Sequence, residues 1–210
     1  MTSTPVPVGA TLIAVLVDRS GSMAQCRDEM ERGLNDFVVD QASLPQAGAV
    51  MLGQFDDRYE VVWPMQPITA AEGRHYRLMP SGRTALYDAV GKYITDVNER
   101  LSRDNTYRPV IMCIITDGAE NASKEWTLEA VQKWIEHMRT VYGWTFVFLG
   151  ANIDAVKTAE KMGIPQENAL TFDTSHGKES YQLLSKHVGE IRKGRRAEFS
   201  ADDRRKAIEG

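Results

Sequence analysis

Leu12-Ile13-Ala14-Val15-Leu16-Val17-Asp18-Arg19-Ser20-Gly21-Ser22 is the stretch from which the fold can be read. Six apolar residues in a row, three of them β-branched, are the pattern of a strand covered on both faces, because alternation disappears only when neither face meets water. The run stops at an aspartate. Two hydroxyls then follow at alternate positions around Gly21, a residue that tolerates a sharp turn. A second apolar run, residues 110–115, ends in a similar way at Thr116-Asp117-Gly118.

Outward from these two runs, helical and strand patterns alternate. From Met23, apolar residues recur at Cys26, Met30, Leu34, Phe37 and Val38, which is helical spacing. Residues 50–55 and 60–63 predict two strands joined by a tight turn at Asp56, Asp57 and Arg58. The stretch 64–83 carries prolines, glycines and charges and is expected to be mostly loop. Leu86, Val90, Tyr93, Ile94, Val97 and Leu101 then line one face of a helix. After the second buried strand come a helix at 127–142, a strand at 144–149, a short helix at 154–162, a short strand at 169–172 and a last helix carrying Tyr181, Leu184, Val188 and Ile191. This order predicts an α/β fold: a doubly wound, mostly parallel central sheet with one antiparallel edge strand and helices on both faces. The domain is expected over residues 10–194, between a lead-in at 1–9 and a charged tail at 195–210. Ligands of such sheets bind at the carboxyl ends of the strands, where the chain order reverses.

Composition narrows the function. The 210 residues are 42% hydrophobic and 26% charged, which suits a globular chain with one buried core. A formal charge of −4 argues against nucleic acid as the main partner, since a phosphate-tracking surface is basic. Cys26 and Cys113 both fall in apolar patterns and are expected to be buried free thiols. His75, His137, His176 and His187 are scattered and read as surface or boundary residues, so no zinc-ligand cluster arises. Trp134 and Trp144 belong to apolar patterns, whereas Trp63 and Trp126 suit edge packing or, less simply, exposed anchors for a partner. The N-terminus has no basic region of the secretory type, and the apolar stretch 10–17 is too short to span a bilayer, so a cytoplasmic protein with no membrane attachment is expected. Between Arg192 and Gly210 basic residues outnumber acidic ones seven to four, the pattern of a solvated or frayed terminal helix, or of a tail that touches an acidic partner.

Three fragments acquire meaning together. Asp18-Arg19-Ser20-Gly21-Ser22 alone can be a turn and helix cap. Thr84, in Ser81-Gly82-Arg83-Thr84, stands where an N-cap is expected. Asp117 alone can be a turn former. In a doubly wound sheet, however, the tips of two adjacent central strands lie side by side, and a loop that opens a neighbouring helix reaches the same crevice. That would gather Asp18, Ser20, Ser22, Thr84 and Asp117, all oxygen donors, with no sulfur and no imidazole. Such a set suits a hard divalent cation such as magnesium, manganese or calcium, and not zinc.

D-x-S-x-S, a distant threonine and a strand-terminal aspartate in T-D-G form resemble the metal-ion-dependent adhesion site of von Willebrand factor A domains. The resemblance runs from about Thr11 to at least Phe172 and is nearest to the stand-alone bacterial and viral members that work inside cells beside other assembly proteins. It implies that Ser20, Ser22 and Thr84 coordinate the ion, while Asp18 and Asp117 act largely through bound waters. Neutral hydroxyls leave the ion's charge poorly compensated, so it retains an open position and an affinity for an anion. The resemblance therefore implies a metal-dependent protein-binding module, not an enzyme, with Mg2+ the first expectation and Mn2+ or Ca2+ next. Its partner would be a protein presenting an Asp or Glu side chain. Arg83, Asn152, Glu120 and Asn121 are candidate partner contacts at the rim, although Arg83 also suits a pair with an acid of its own surface, and Asn152 a cap for the following helix.

Two alternatives stay open on the residues. An aspartate ending the first strand is also found in phosphatases that form an aspartyl-phosphate; those want a second aspartate where Ser20 stands. A structural subunit whose ion only braces the loops would use the same five residues.

Overall fold

The computed structural model describes residues 9–71, 73–103 and 107–210; all but Gly9 of the expected lead-in, including Pro5 and Pro7, lies outside them. Six strands, β1 (Ala10–Asp18), β2 (Gly48–Phe55), β3 (Tyr59–Pro67), β4 (Tyr107–Thr116), β5 (Thr145–Ala151) and β6 (Ala169–Phe172), form one sheet in the order β3-β2-β1-β4-β5-β6. All neighbours are parallel except β2 and β3, so β3 is the antiparallel edge.

Every residue of β1 from Thr11 to Asp18 is buried, which explains its unbroken apolar run. Alternate side chains serve two cores. Ile13, Val15 and Val17 pack with Met30 and Leu34 of α1 (Arg27–Ala42), Leu184 and Val188 of α5 (Gly177–Arg192) and Ala207 of α6 (Ala201–Glu209). Leu12, Ala14 and Leu16 meet Val90 and Ile94 of α2 (Leu86–Arg103), Val131 and Ile135 of α3 (Leu128–Tyr142) and Ala159 of α4 (Ala155–Lys161). Each layer removes a large apolar area from water, the main force that holds helices to such a sheet.

Several details depart from the sequence reading. The hairpin strand β3 does not stop at Trp63 but continues through Pro64 to Pro67, with shifts of register against β2. An edge strand tolerates prolines because one row of its amides needs no partner in the sheet. Beyond a short 3-10 turn, Tyr76 and Leu78 of the expected loop are buried in the core. The helical pattern at Met23 begins as a 3-10 turn, Gly21–Gln25, before α1.

His187 is not a surface residue. It is 4% exposed, stacked on Phe199 at 4.2 Å between ring centroids and bonded through Nε2 to Asn168 Oδ1 at 3.1 Å. Burial holds its imidazole down to about 4, against a small upward pull from Asp203. The partner of that stack belongs to the segment expected as a solvated tail. Residues 195–210 do carry a helix, α6, but it is neither frayed nor free: it opens with a reciprocal capping box between Ser200 and Asp203. Arg204 donates to the carbonyl of Ala169, and the amide of Asp173 donates to the carbonyl of Ala207, so α6 is fastened beside β6.

Cys26 and Cys113 are free and buried, and burial pushes both thiols up to about 12. Trp144 is core, whereas Trp134 is half-buried and stacked on His137. Trp63 is buried on its edge strand and Trp126 packs half-buried against Gly91, so neither is an exposed anchor. No helix among the described residues is long and apolar enough to cross a membrane.

Candidate metal centre

The chain leaves β1 toward β2 and β3 on one side and resumes at β4 on the other, so its order reverses between β1 and β4. Val17 pairs with Ile115 across this boundary, which sets Asp18 beside Thr116 at the carboxyl tips. A parallel neighbour lies only ~4.8 Å away, close enough for side chains of the two tips to share one site.

A chain of hydrogen bonds joins the two aspartates. The amide of Ser20 donates to Asp18 Oδ1 at 2.6 Å, and the Thr116 hydroxyl donates to Asp18 Oδ2 at 2.5 Å. Ser20 Oγ lies 3.1 Å from Ser22 Oγ, and the Ser22 hydroxyl donates to Asp117 Oδ1 at 2.7 Å. Asp18, Ser20 and Thr84 are buried, Asp117 is half-buried and Ser22 is exposed, so the cluster opens to solvent on the Ser22–Asp117 side.

Burial pushes the Asp18 carboxyl up to about 6, beyond what the bonds from Thr116 and Ser20 pull back, and the nearby Asp117 adds to the rise. Asp117 is likewise raised by burial, with the Ser22 hydroxyl opposing. Among the described residues neither aspartate forms an ion pair. Two desolvated carboxylates and three hydroxyls at one opening match the donor chemistry of a hard divalent cation. No group of three or more His, Cys, Asp or Glu gathers to hold a metal among the described residues, as follows for a set that is mostly hydroxyl.

Thr84 is held by its backbone. Its amide donates to Asn121 Oδ1 at 3.0 Å, and its carbonyl accepts from the Asn121 amide at 3.0 Å. A Cβ placed on Gly118, one residue beyond Asp117, would lie 2.9 Å from Thr84 Oγ1, so the hydroxyl stands at the β4 tip. The expected N-cap role falls to others: Glu120 accepts from the amide of Tyr87 and Ser123 Oγ from the amide of Asp88 at the start of α2. Among the described residues the Thr84 hydroxyl accepts no amide, which leaves its oxygen for the site.

The loops that carry these residues are tied to one another. The Gly21 amide donates to the Gly82 carbonyl, Ser81 to Arg19 and Ala85 to Asp56. Gly82 has φ 68°, the left-handed region, and a Cβ there would meet Asp57 Oδ2 at 2.5 Å, so both conformation and space require glycine. Asp56 accepts from the Ser81 hydroxyl and from the Arg58 amide and pairs with Arg19 at 3.2 Å.

The candidate partner contacts are mostly occupied. Arg83 donates through Nε and its amide to Asp57, the alternative left open by the sequence. Glu120 accepts from Tyr87, Ala122 and Ser123, and Asn121 clamps Thr84, so both shape the loop that follows Asp117. Asn152 does not cap α4, whose N-cap is Asp154; it takes φ 54° and donates to Phe172 and Thr174 instead. The sequence reading missed Thr116, Asp56 and Ser123. Only Thr116 had a visible signal, because it immediately precedes Asp117 on a strand paired with the one that ends at Asp18.

No protein-family model matches the sequence, and no curated protein does. Solved structures share its fold. Proximal thread matrix protein 1 from the mussel byssus superposes with a TM-score of 0.65 at 15% identity, over 86% of this chain and 46% of that one. It has also been solved with a zinc-occupied MIDAS motif. A von Willebrand factor type A protein from Catenulispora acidiphila gives 0.60 at 16% identity, over 86% and 43%. The vWF domain of the pilus tip protein Mfa5 from Porphyromonas gingivalis gives 0.66 at 9% identity, over 92% and 99%. This chain thus spans less than half the length of the first two and nearly all of the third. The shared feature is the von Willebrand factor A fold.

Proposed function

We propose that this chain is a metal-dependent protein-binding module that captures an acidic side chain of a partner. The observation that carries the reading is the hydrogen-bonded chain through Asp18, Ser20, Ser22 and Asp117 at the β1–β4 switch point, with the Thr84 hydroxyl beside Gly118 at the same strand tip and no ion pair to either carboxylate among the described residues. Ser20, Ser22 and Thr84 would hold the ion through their hydroxyls, with Asp18 and Asp117 behind them orienting water. When bound, a divalent cation supplies a positive charge with a position open to an Asp or Glu of the partner. The exposed Ser22 and half-buried Asp117 mark the side from which that partner would approach. Mg2+ is the first candidate, with Mn2+ and Ca2+ next; the zinc-occupied motif of the mussel protein adds zinc to the ions worth testing, although the oxygen donors here are hard.

Two features favour this reading over the alternatives. The loops are cross-tied through Gly21–Gly82, Ser81–Arg19 and Asn121–Thr84, which favours a role for the cation other than bracing them. Asp18 is 0% exposed with both oxygens accepting hydrogen bonds, a poor position for a nucleophile that must reach a phosphoester. Affinity capture from the source lysate, in magnesium and in chelator, tests the proposal. A protein retained only with magnesium, and lost with Ser20→Ala/Ser22→Ala, is expected. Retention indifferent to both changes would contradict it.

A further inference from the structure

The loop that delivers Thr84 to the site has a second character. Residues 73–84 contain Arg74, His75, Arg77 and Arg83 and no acidic residue, within a chain of net charge −4. Their side chains alternate. Tyr76 and Leu78 are buried, whereas Arg77, Met79 and Ser81 face solvent, Met79 with 73% of its surface exposed. One edge of the stretch is fastened to α1: the Asn35 side chain both donates to the carbonyl and accepts from the amide of Tyr76, and Glu31 accepts from the amide of Leu78. The amides of Arg77 and Met79 donate to no described residue. The result is a track with alternating exposed and buried side chains, fastened to α1 at Tyr76 and Leu78 and to Arg19 at Ser81, that runs from Arg74 to Thr84 and can span at most about 13 Å between Arg77 and Ser81 at ~3.3 Å per residue.

The arginines along this rim differ in what they already hold. Arg83 pairs with Asp57, Arg19 with Asp56 and Glu60, and Arg27 with Asp28. Arg74 and Arg77 form no ion pair among the described residues. They can gain an acidic partner without giving one up, and they belong to the same stretch that ends at Thr84.

We propose that the captured segment is acidic and extended, with one carboxylate at the cation site and further carboxylates at alternate positions along the track, where they meet Arg77 and then Arg74. Side chains on one face of an extended peptide repeat every second residue, which matches the alternation of the track. Met79, between the two charged regions, gives the peptide's aliphatic stems an apolar contact. This inference rests on the metal-dependent capture proposed above.

Fluorescence anisotropy with two synthetic probes tests it. The first is a glycine-serine peptide with a single aspartate; the second adds glutamates at alternate positions on both sides. In magnesium the second should bind roughly three- to tenfold more tightly, the range expected for a few exposed ion pairs. Arg74→Ala/Arg77→Ala, checked for an unchanged melting temperature, should erase that excess and leave the first probe unaffected. Equal affinities in the wild type, or an excess that survives in the variant, would overturn the inference and leave the capture reading intact. Binding of the acidic probe that persists in chelator would detach the track from the cation and also overturn it. Failure of both probes to show magnesium-dependent binding would overturn the capture reading and this inference with it.

Discussion

Among single side chains, Asp18 carries the proposed cation's clearest mark. Its carboxylate is fully buried and has Asp117 for a charged neighbour, so its ordinary value of 3.8 rises to about 6 although the Ser20 amide and the Thr116 hydroxyl donate to it. A shift of that size corresponds to a burial penalty on the order of 2–3 kcal/mol at neutral pH. Asp18→Asn should therefore leave the melting temperature in chelator unchanged or higher, while abolishing the rise produced by magnesium. The Thr116 hydroxyl, 3.1 Å from the Gly118 carbonyl, can turn to that acceptor and receive the new amide. A variant that melts lower in chelator yet keeps its magnesium response would contradict this. The same shift fixes a pH trend. Because the folded value lies above the unfolded one, the metal-free fold takes up a proton as pH falls through about 6 and gains stability relative to the unfolded chain. Cation binding needs the charged form. The stabilisation by magnesium, read as a shift in thermal melting, should be full at pH 7.5 and shrink below pH 6; a response that grows on acidification would be the wrong sign.

Between elements, close packing and one buried imidazole set the expectations. A Cβ on Gly33 of α1 would lie 2.1 Å from the ring of Tyr181 in α5, so these helices meet at a distance that only glycine permits. Gly33→Ala should cost about 1–3 kcal/mol in urea unfolding, because overpacking outweighs the better helix propensity of alanine. His187 links α5 to the stretch before α6. Its folded value of about 4 lies below the usual 6.5, so its contribution is full above pH 6.5 and is lost as pH falls toward 4. His187→Phe removes this titration and keeps a ring against Phe199. Thermal melting of the wild type should fall further between pH 7 and 4.5 than that of the variant; parallel profiles would contradict the assignment. These elements also mark where the sequence was legible. Continuous apolar runs announced β1 and β4, and regular helical spacing announced α2, because burial on both faces or one leaves a periodic trace. The extension of β3 was hidden by Pro64 and Pro67, which an edge strand accepts. The docked α6 was hidden by charge: most of its residues face water, and only Phe199 and Ala207 of this segment are buried apolar anchors.

At the level of the molecule, topology brings the site together. Asp18 and Asp117 are 99 positions apart, and only the reversal of strand order between β1 and β4 makes them neighbours. The five oxygen donors were legible because three short fragments have a spacing that a parallel sheet converts into proximity. What holds them was not. Thr116, Asp56, Glu120 and Ser123 act through ordinary turn and cap bonds that many sequences would satisfy in other ways, and the freedom of the Thr84 hydroxyl depends on caps supplied from a distant loop. Identities of 9–16% to structures of the same fold show how little of the sequence the fold itself requires. Isothermal titration calorimetry of magnesium, manganese, calcium and zinc into the folded, chelator-treated protein, beside Ser20→Ala/Ser22→Ala of equal melting temperature, tests the metal centre most directly. Uptake of a single divalent ion by the wild type and none by the variant is expected. No uptake of any of these ions by the wild type, or equal uptake by both proteins, would contradict it.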